Sequence, residues 1–359
     1  MNILILKPGQ RRIEYACLLD GNKEPVLAGS TANLREGQDD ATALEAALLQ
    51  VRRDFRLATG AEPEAIGVCT AFWGAAFAGP AVLDSEVSAR LRAILSQAPL
   101  HIPFLLQVLN LSPKVFRGAA VVILFETAFF AQMPLREQLF ALEPDLCVSL
   151  ELRRFGYHGL FHEAACEQAA QRRLERKVQE PARIISICLE PRPEVAAVIG
   201  RRPVMVTSGA TPLEGLPGET SSGDVDPSLV LILAEKQKWG PERINLLLTQ
   251  ESGLLGLVGQ PTTFDELFSQ QGPAYQRARS LIQYRILQSC GAGMATLGGL
   301  DAIIFSGRYA ALGETLGPWL SSRLRLEDRI WGCCLRSLPN IAAEKTALAL
   351  LTAQPATIA

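Results

Sequence analysis

Two continuous apolar runs constrain the fold of this chain more than any other feature. Ala119–Phe125 and Arg183–Leu189 are dominated by apolar residues such as Val and Ile and show no strict alternation with polar ones. Such runs are typical of strands covered on both faces, as in α/β proteins with helices on either side of a sheet. Around each run the chain cycles from early strands through helices to a late apolar strand, which predicts two similar α/β halves without a residue-level repeat.

The local patterns place most of the other elements. The first half opens with a hairpin signature, in which Pro8 and Gly9 separate Asn2–Leu6 from Ile13–Leu19. The other predicted strands are Ala65–Phe72, Glu194–Ile199, Arg202–Val206 and Asp301–Ser306. The apolar periodicity predicts helices over Asp39–Leu57, Ser85–Leu95, Pro227–Lys236, Pro241–Thr249, Pro273–Thr296, Leu312–Leu324 and Ala342–Thr352.

The length of 359 residues suggests two domains, at roughly 100–200 residues for each. We place the first at residues 1–146, completed by a closing helix within residues 340–359, and the second at residues 147–339. Hydrophobic residues make up 48% of the chain, which is enough to form two sizeable cores and makes disorder an unlikely reading of the composition.

Charge and composition exclude several classes of function. Lys and Arg number 35 against 37 Asp and Glu, so the chain lacks the basic excess that neutralises nucleic-acid phosphates. Its most apolar windows are much shorter than the roughly 20 residues that cross a bilayer, so we expect no membrane span. The eight cysteines form no CxxC pair, which favours reduced thiols and a cytoplasmic location. Three histidines are too few to favour a His-based zinc site.

Two stretches are dense in residues that carry chemistry. Glu151–His162 contains two of the three histidines next to two arginines, which suits an anion site with a histidine that donates to a transferred group. The alternative is a loop whose polar residues cap a helix. Thr211–Pro227 is rich in Gly, Pro, Ser and Asp, and long ordered loops in compact domains are often functional. The alternative there is a surface linker.

These stretches, in this order, resemble the acetate kinase family, which also includes propionate and butyrate kinases. Val121–Pro134 is similar to the strand that leads into the catalytic acid of the family, and Arg153–His162 is similar to its arginine–histidine motif. Thr211–Pro227 is similar to its glycine-rich signature loop. Ser252–Leu257 and Gly298–Gly307 are similar to further family blocks, so the resemblance covers nearly the whole chain.

The resemblance implies a fold, a reaction and an assembly. The fold is α/β with two domains, of the kind shared by actin, hexokinase and sugar kinases, and ATP and a short carboxylate meet in the cleft between the domains. The reaction converts ATP and the carboxylate into an acyl phosphate and ADP with Mg²⁺. The resemblance also implies a homodimer formed through the second domain, while the charge balance and the short apolar windows speak against nucleic acid and membrane as partners.

Roles can be carried over residue by residue. Glu126 stands at the position of the catalytic aspartate, although a strand-end acid that caps the next helix is an equal alternative. His158 matches the histidine that stabilises the transferring phosphoryl group. The resemblance places Gly9, Arg154, His162, Thr220, Ser221 and Asp224 at the substrate and phosphate. It places Gly307 and Arg308 at the nucleotide and Glu344 near Mg²⁺.

Positions that carry charge in the family pattern are altered here. A substrate-side arginine falls on Cys69, and the second catalytic arginine falls on Ser221. The phosphate loop, normally rich in Gly and Asn, reads Cys188–Glu194 with two prolines that lack N–H donors and two glutamates that we expect to repel phosphate. In the N-terminal turn Gly9 is kept, but Lys7–Glu14 has a different order of charges.

Two hypotheses follow from these changes. One missing charge-stabilising arginine is worth about 10³–10⁵ in the rate of phosphoryl transfer. The first hypothesis is a degenerate relative with an interaction or regulatory role, whose kinase activity is absent or at least about a thousandfold weaker. The second is an active, rewired carboxylate kinase, in which Arg11, Arg12 or Arg192 supplies the charge from another backbone position.

Overall fold

The computed structural model describes residues 1–9, 12–20, 22, 24–32, 40–70, 77, 79–93, 102–150, 152–175, 179–326 and 331–353. The chain divides into two compact units, one formed by Met1–Ala131 with Ser337–Ala359 and the other by Gln132–Arg336. Arg11 and the predicted element ends at residues 39, 71–72 and 94–95 lie outside the described residues. No described helix is both long and apolar enough to cross a bilayer.

The first unit is built on a six-stranded sheet. Its strands are β1 (Ile3–Pro8), β2 (Ile13–Leu18), β3 (Leu27–Ser30), β4 (Ala65–Thr70), β5 (Ala81–Val82) and β6 (Ala120–Phe125). Their order across the sheet is β3-β2-β1-β4-β6-β5. The helices of this unit are α1 (Asp40–Thr59), α2 (Ser85–Ala93), α3 (Ile102–Val115) and the closing helix α13 (Leu338–Ala353).

The second unit is built on a five-stranded sheet. Its strands are β7 (Arg183–Cys188), β8 (Glu194–Ile199), β9 (Arg202–Val206), β10 (Ala302–Ser306) and β11 (Trp331–Cys333), in the order β11-β10-β7-β8-β9. Its helices are α4 (Leu135–Gln138), α5 (Pro144–Ser149), α6 (Gly159–Glu175), α7 (Pro227–Gln237), α8 (Pro241–Gln250), α9 (Gly253–Val258), α10 (Phe264–Ser269), α11 (Pro273–Leu297) and α12 (Gly313–Leu324).

The two sheets share one topology. In each, three consecutive strands pair antiparallel, as β1–β3 and as β7–β9. Two further strands then extend the sheet in parallel on the other side of the first strand, namely β4 and β6 in one unit and β10 and β11 in the other. The predicted α/β class with two similar halves is therefore confirmed, and both apolar runs are fully covered strands.

The boundary between the units lies after Ala131, not after Leu146 as the sequence analysis placed it. The reason is that residues 132–146 are tied to the second sheet. α4 packs on β9, and the carboxylate of Glu137 accepts a hydrogen bond from the backbone N–H of Val206 at 3.0 Å. The carbonyl of Gln138 accepts another from the N–H of Arg154. The boundary at the other end lies before Ser337.

The closing helix α13 packs on the sheet of the first unit, where it contacts β1, β2, β4, β5 and β6. Its buried residues are Ile341, Ala342, Ala343 and Thr346. Gly67 in β4 allows this close approach. A Cβ atom on Gly67 would overlap Thr346 Oγ1 and would lie 2.7 Å from Ile5 Cδ1.

Gly67→Ala is expected to lower the melting temperature, because overpacking of a well-packed core costs about 1–3 kcal/mol. Gly79→Ala is the matched control, since a Cβ atom there would have no neighbour within 4 Å. Thermal unfolding followed by circular dichroism compares the two variants. Equal melting temperatures for Gly67→Ala and the parent would contradict the close packing of α13 on β4.

Candidate functional site

Most residues of interest in the second unit lie in four segments. Two of these follow the strands β7 and β10, which are parallel, with Cys188 paired to Ser306 at their carboxyl ends. We call them the strand-end loop (Leu189–Glu194) and the glycine turn (Ser306–Tyr309). The other two are the histidine turn (Phe155–His162) and the signature loop (Thr211–Pro227). Ligands of α/β proteins are commonly bound beyond the carboxyl ends of such strands.

Glu194 holds the histidine turn in place through hydrogen bonds to its backbone. The side chain is buried, and its Oε1 accepts hydrogen bonds from the backbone N–H groups of Tyr157 and His158, each at 3.1 Å. Its Oε2 accepts a second bond from Tyr157 at 3.0 Å. The ring of His162 brings Nε2 to 3.0 Å from Oε1. One carboxylate therefore occupies two backbone donors that would otherwise be available to an anion.

The environment of Glu194 favours its charged form. Burial by itself raises the pKa of this carboxyl group. The hydrogen bond from His162, the charges of His162 and His158, and a hydrogen bond from Ser208 outweigh that effect, so the pKa of Glu194 lies below its ordinary value. The carboxylate is thus a fixed negative charge that is neutralised inside the unit and does not face a ligand.

His162 is a buried support of the histidine turn. Its side chain is fully buried, its Nδ1 lies 2.7 Å from the hydroxyl of Ser186, and its Nε2 faces Glu194. The resemblance placed His162 at the phosphate, and in the structure both of its ring nitrogens face groups of the second unit, Ser186 and Glu194. The contacts from Ser186 to His162 and from His162 to Glu194 are arranged like those of a nucleophilic triad. Ser186 has no exposed surface, however, so a substrate cannot reach it.

His158 is half-buried on the same turn. Its Nε2 donates a hydrogen bond of 2.8 Å to the carbonyl oxygen of Arg192 in the strand-end loop. Because a carbonyl can only accept, Nε2 carries the proton in this arrangement. The structure therefore joins His158 to the loop that the sequence analysis singled out as altered.

Arg154 is held by the signature loop. Its Nη1 lies 2.6 Å from the carboxylate of Glu214 and 3.4 Å from the carbonyl of Ser208. Burial raises the pKa of Glu214, and the charge of Arg154 offsets only part of that rise. This guanidinium, predicted to bind substrate or phosphate, already has an internal counter-ion.

Glu190 makes the corresponding contact to the glycine turn. Its buried carboxylate accepts a hydrogen bond of 2.6 Å from the backbone N–H of Arg308, and the Arg308 guanidinium lies 3.9 Å away. Gly307 has φ +89°, and a Cβ atom there would lie 2.7 Å from the carbonyl oxygen of Leu189. The predicted nucleotide residues Gly307 and Arg308 thus pack directly on the strand-end loop.

The contacts of the two glutamates reveal a second effect on phosphate besides the predicted repulsion. Glu190 faces the glycine turn, and Glu194 faces the histidine turn. Both are buried acceptors of backbone N–H groups. They therefore use donors that a phosphate would need.

The predicted polar residues of the signature loop mostly hold the loop itself together. The hydroxyl of Thr220 donates to the carbonyl of Thr249 at 3.0 Å. Asp224 accepts from the N–H of Gly215 at 2.7 Å and donates its own N–H back to the Gly215 carbonyl. Gly215 has φ +105°, a backbone conformation that favours glycine. The side chains of Thr220 and Asp224 are therefore used within the loop.

Ser221 is the member of this loop that meets the strand-end loop. It is buried, and its carbonyl accepts from the N–H of Gly218. A Cβ atom on Gly218 would lie 2.6 Å from Ser221 Oγ and 3.3 Å from the Cα of Arg192. Glu219 donates its N–H to the carbonyl of Pro191 at 2.8 Å. The structure thus brings His158, Arg192 and Ser221 together around one small region.

The remaining site residues lie in the first unit. Gly9 donates its N–H to the carbonyl of Arg12 in the turn after β1. Cys69 is buried near the end of β4, and burial together with the charge of Glu126 raises the pKa of its thiol to about 12 against the opposing charge of Lys7. Glu126 is also buried and follows β6 directly.

The two carboxylates considered for Mg²⁺, Glu126 and Glu344, both lie in the first unit. Mg²⁺ in phosphoryl-transfer proteins is held by one or two carboxylates together with substrate phosphates. The charges of Glu126 and Lys7 both act on the pKa of the Cys69 thiol, in opposite directions. Glu344 is exposed on α13. Within the described ranges, no cluster of three or more His, Cys, Asp or Glu side chains is present.

Two contacts of the site were not found by sequence reasoning. Glu219 accepts a 2.6 Å hydrogen bond from the hydroxyl of Tyr309, which joins the signature loop to the glycine turn. The hydroxyl of Tyr157 donates to the carbonyl of Ala210 at 2.6 Å. Tyr157 stands inside a quoted motif and Tyr309 stands two residues after another, so aromatic hydroxyls in or beside glycine-containing segments were the available signal.

The sequence is similar to those of known proteins over most of its length. The family model described as the Acetokinase family matches residues 16–315. The acetate kinase of Clavibacter sepedonicus is 33% identical over 335 residues, which cover 87% of this chain and 83% of the relative. The acetate kinase of Thermosipho africanus is 29% identical over 340 residues, covering 88% and 82%.

Two solved structures share the fold. The acetate kinase of Porphyromonas gingivalis superposes with a TM-score of 0.84 at 23% identity, over 97% of this chain and 99% of the other. The propionate kinase of Francisella tularensis superposes with a TM-score of 0.82 at 21% identity, again over 97% and 99%. At these identities the likeness establishes the fold of the chain and nothing about its substrate.

Proposed function

The chain belongs to the acetokinase family, and from that premise we propose that it is a carboxylate kinase relative whose phosphoryl transfer is weak or lost. The family reaction is the ATP-dependent phosphorylation of a short-chain carboxylate to an acyl phosphate, with Mg²⁺. In our proposal the fold is kept for an interaction or regulatory role in the cytoplasm. The eight free thiols support a reducing compartment.

One observation carries this proposal. Phosphoryl transfer depends on N–H donors and cations aimed at the oxygens where negative charge develops. In the second unit, the backbone donors of Tyr157 and His158 are bound to Glu194, and that of Arg308 is bound to Glu190. A phosphate would have to displace buried carboxylates from these donors before it could use them.

Trapping of acyl phosphate with hydroxylamine tests the proposal. Purified protein is incubated with ATP and Mg²⁺ and with acetate, propionate or butyrate in turn. We expect little or no hydroxamate with any of the three acids. Robust hydroxamate formation that disappears in His158→Ala would overturn the proposal, whereas a signal that His158→Ala leaves unchanged comes from a contaminating kinase.

The second candidate is an active, rewired carboxylate kinase. The specific observation in its favour is Arg192, a half-buried residue of the strand-end loop whose Cα and the Ser221 hydroxyl both border Gly218. An arginine at this place is able to supply the positive charge that the residue at 221 does not. The candidate predicts strong hydroxamate formation and separates cleanly from the first in the same assay.

We also propose that the protein forms a homodimer through α7 of the second unit. This helix buries none of its residues in the described chain, and Leu229, Leu231 and Ile232 are all exposed. A run of exposed large apolar side chains on one helix commonly marks an interaction surface. A second copy of the chain is the partner that the family resemblance indicates.

Leu231→Glu is expected to convert the dimer to a monomer, because it places a charge in an apolar interface. Leu174→Glu on α6 is the matched control, since both leucines are 70% exposed and both belong to the second unit. Light scattering at micromolar protein concentration gives the mass of each variant. A parent protein that is already monomeric at this concentration, or a Leu231→Glu variant that stays dimeric, would refute the assignment.

A further inference from the structure

We propose that Arg192 is the anion-binding group of the second unit and takes a phosphoryl-type oxyanion. The residue stands in the middle of the strand-end loop, between Pro191 and Pro193, and its side chain is half-buried. Burial lowers the pKa of its guanidinium, and among the described residues no carboxylate forms an ion pair with it. A buried cation without a counter-ion is costly, and an arriving anion would relieve that cost.

The charges around Arg192 are arranged so that they do not neutralise it. The two carboxylates of its own loop are turned to other partners. Glu190 binds the backbone of Arg308, and Glu194 binds the histidine turn. Arg308 of the glycine turn lies 3.9 Å from Glu190, and Arg154, just before the histidine turn, is paired with Glu214. Arg192 is therefore the arginine of these four segments that has no carboxylate partner among the described residues.

Arg192 lies near Ser221, the position of the signature loop at which the family resemblance has an arginine. Ser221 and the Cα of Arg192 both border the space in which a Cβ atom on Gly218 would lie, at 2.6 Å and 3.3 Å. Ser221 is small and buried, and it brings no charge. The backbone carbonyl of Arg192 also receives the Nε2–H of His158. A guanidinium from residue 192 therefore starts beside both residues that the sequence analysis assigned to the phosphoryl group.

The chemistry of the group selects its ligand class. A guanidinium presents a planar fork of N–H donors that fits phosphate oxygens in pairs, and it stays charged at any pH a protein tolerates. Because the nearby backbone donors are occupied, this contact rests mainly on the side chain. The inference deepens the proposed function, on which it rests for the choice of a phosphoryl group as ligand. It does not require that the group be transferred.

Thermal melts with increasing inorganic phosphate test this site at constant ionic strength, which is held with sodium chloride. We expect a saturable rise of the melting temperature in the parent protein. Arg192→Gln is expected to weaken the apparent phosphate affinity by about tenfold or more, since it removes a charge-assisted, two-pronged contact. Arg285→Gln, which removes an exposed arginine from α11, is expected to leave the affinity unchanged.

Two further measurements distinguish the loss of the anion site from misfolding of the variant. Without phosphate, Arg192→Gln is expected to melt at or above the temperature of the parent, because it removes an uncompensated half-buried charge. Arg192→Lys keeps the charge without the fork, and we expect it to bind phosphate more weakly than the parent and more tightly than Arg192→Gln. A phosphate affinity that is equal in the parent, Arg192→Gln and Arg192→Lys would overturn the inference.

The same variants distinguish a free anion from a nucleotide-borne one. They also distinguish failure of this site from failure of the proposed function. A response to ADP that exceeds the response to phosphate, and that is lost in Arg192→Gln, assigns a nucleotide-borne phosphoryl group; a response to phosphate alone assigns the free anion. Phosphate binding that depends on Arg192 supports the site even if no acyl phosphate forms. Acyl phosphate produced by Arg192→Gln at the parent rate would overturn the site and leave a kinase in place.

Discussion

Glu194→Gln is expected to lower the free energy of unfolding by about 3 kcal/mol or more near neutral pH, because removing one partner of a buried pair leaves the other uncompensated. The carboxylate accepts from Tyr157 and His158 and faces His162. A glutamine places an NH₂ group against at least one of these donors. Chemical denaturation measures the loss, and Glu235→Gln on the exposed face of α7 is the control.

The same variant should reveal the pH dependence of this contact. The pKa of Glu194 in the folded protein lies below its ordinary value of 4.5, so its stabilising contribution is complete above that value. It is lost as the pH falls through the folded pKa. The difference in unfolding free energy between the parent and Glu194→Gln should therefore shrink below about pH 4.5. A difference that is constant from pH 7 to pH 3 would contradict a charged Glu194.

The second large effect concerns turnover. We expect the rate of acyl phosphate formation to be at least about a thousandfold below that of a relative with both arginines, which corresponds to about 4 kcal/mol in the transition state. Cys69 and Ser221 occupy the two arginine positions, and both side chains are buried without a positive charge of their own. Initial rates of hydroxamate formation, with the relative purified in parallel, give the ratio.

Introducing arginines at the two positions shows whether slow transfer is caused by the missing arginines or by the occupied backbone N–H donors. We expect the double variant Cys69→Arg with Ser221→Arg to remain within about tenfold of the parent rate, because Glu190 and Glu194 still occupy backbone N–H groups of the second unit. A stability check by thermal melting must accompany this variant, since both positions are buried. Recovery to the rate of the relative would show that the arginines alone limit transfer.

Much of the fold could be predicted from local patterns. The hairpin around Pro8, the two apolar strands and α11 with its terminal Gly298 all follow from periodicity and turn residues, and the structure contains each of them. The helices α3 and α6 were missed. α3 is apolar on most sides and contains Pro113, and α6 buries small residues such as Ala164 and Ala165, so neither has a clear polar stripe.

The site was harder to predict, because its charges act across long separations. The sequence shows that Glu190 and Glu194 are negative but not which way they face. Their partners lie 118 residues away at Arg308 and 36 residues away at His158, and only the folded sheet brings them together. The burial of His162 is likewise a product of packing on β7, through Ser186. Residue type alone therefore pointed to these segments but could not show that both glutamates are buried acceptors of backbone N–H groups.

A single-turnover experiment tests the central claim most directly. Protein in excess is mixed with γ-labelled ATP, Mg²⁺ and saturating acetate, and the reaction is quenched at intervals to measure labelled acyl phosphate. Excess enzyme reduces the influence of nucleotide affinity on the result, so the rate constant reports the transfer step. Our account predicts a rate constant at least about a thousandfold below that of a relative with both arginines. A rate constant equal to that of the relative, and abolished in His158→Ala, would contradict it.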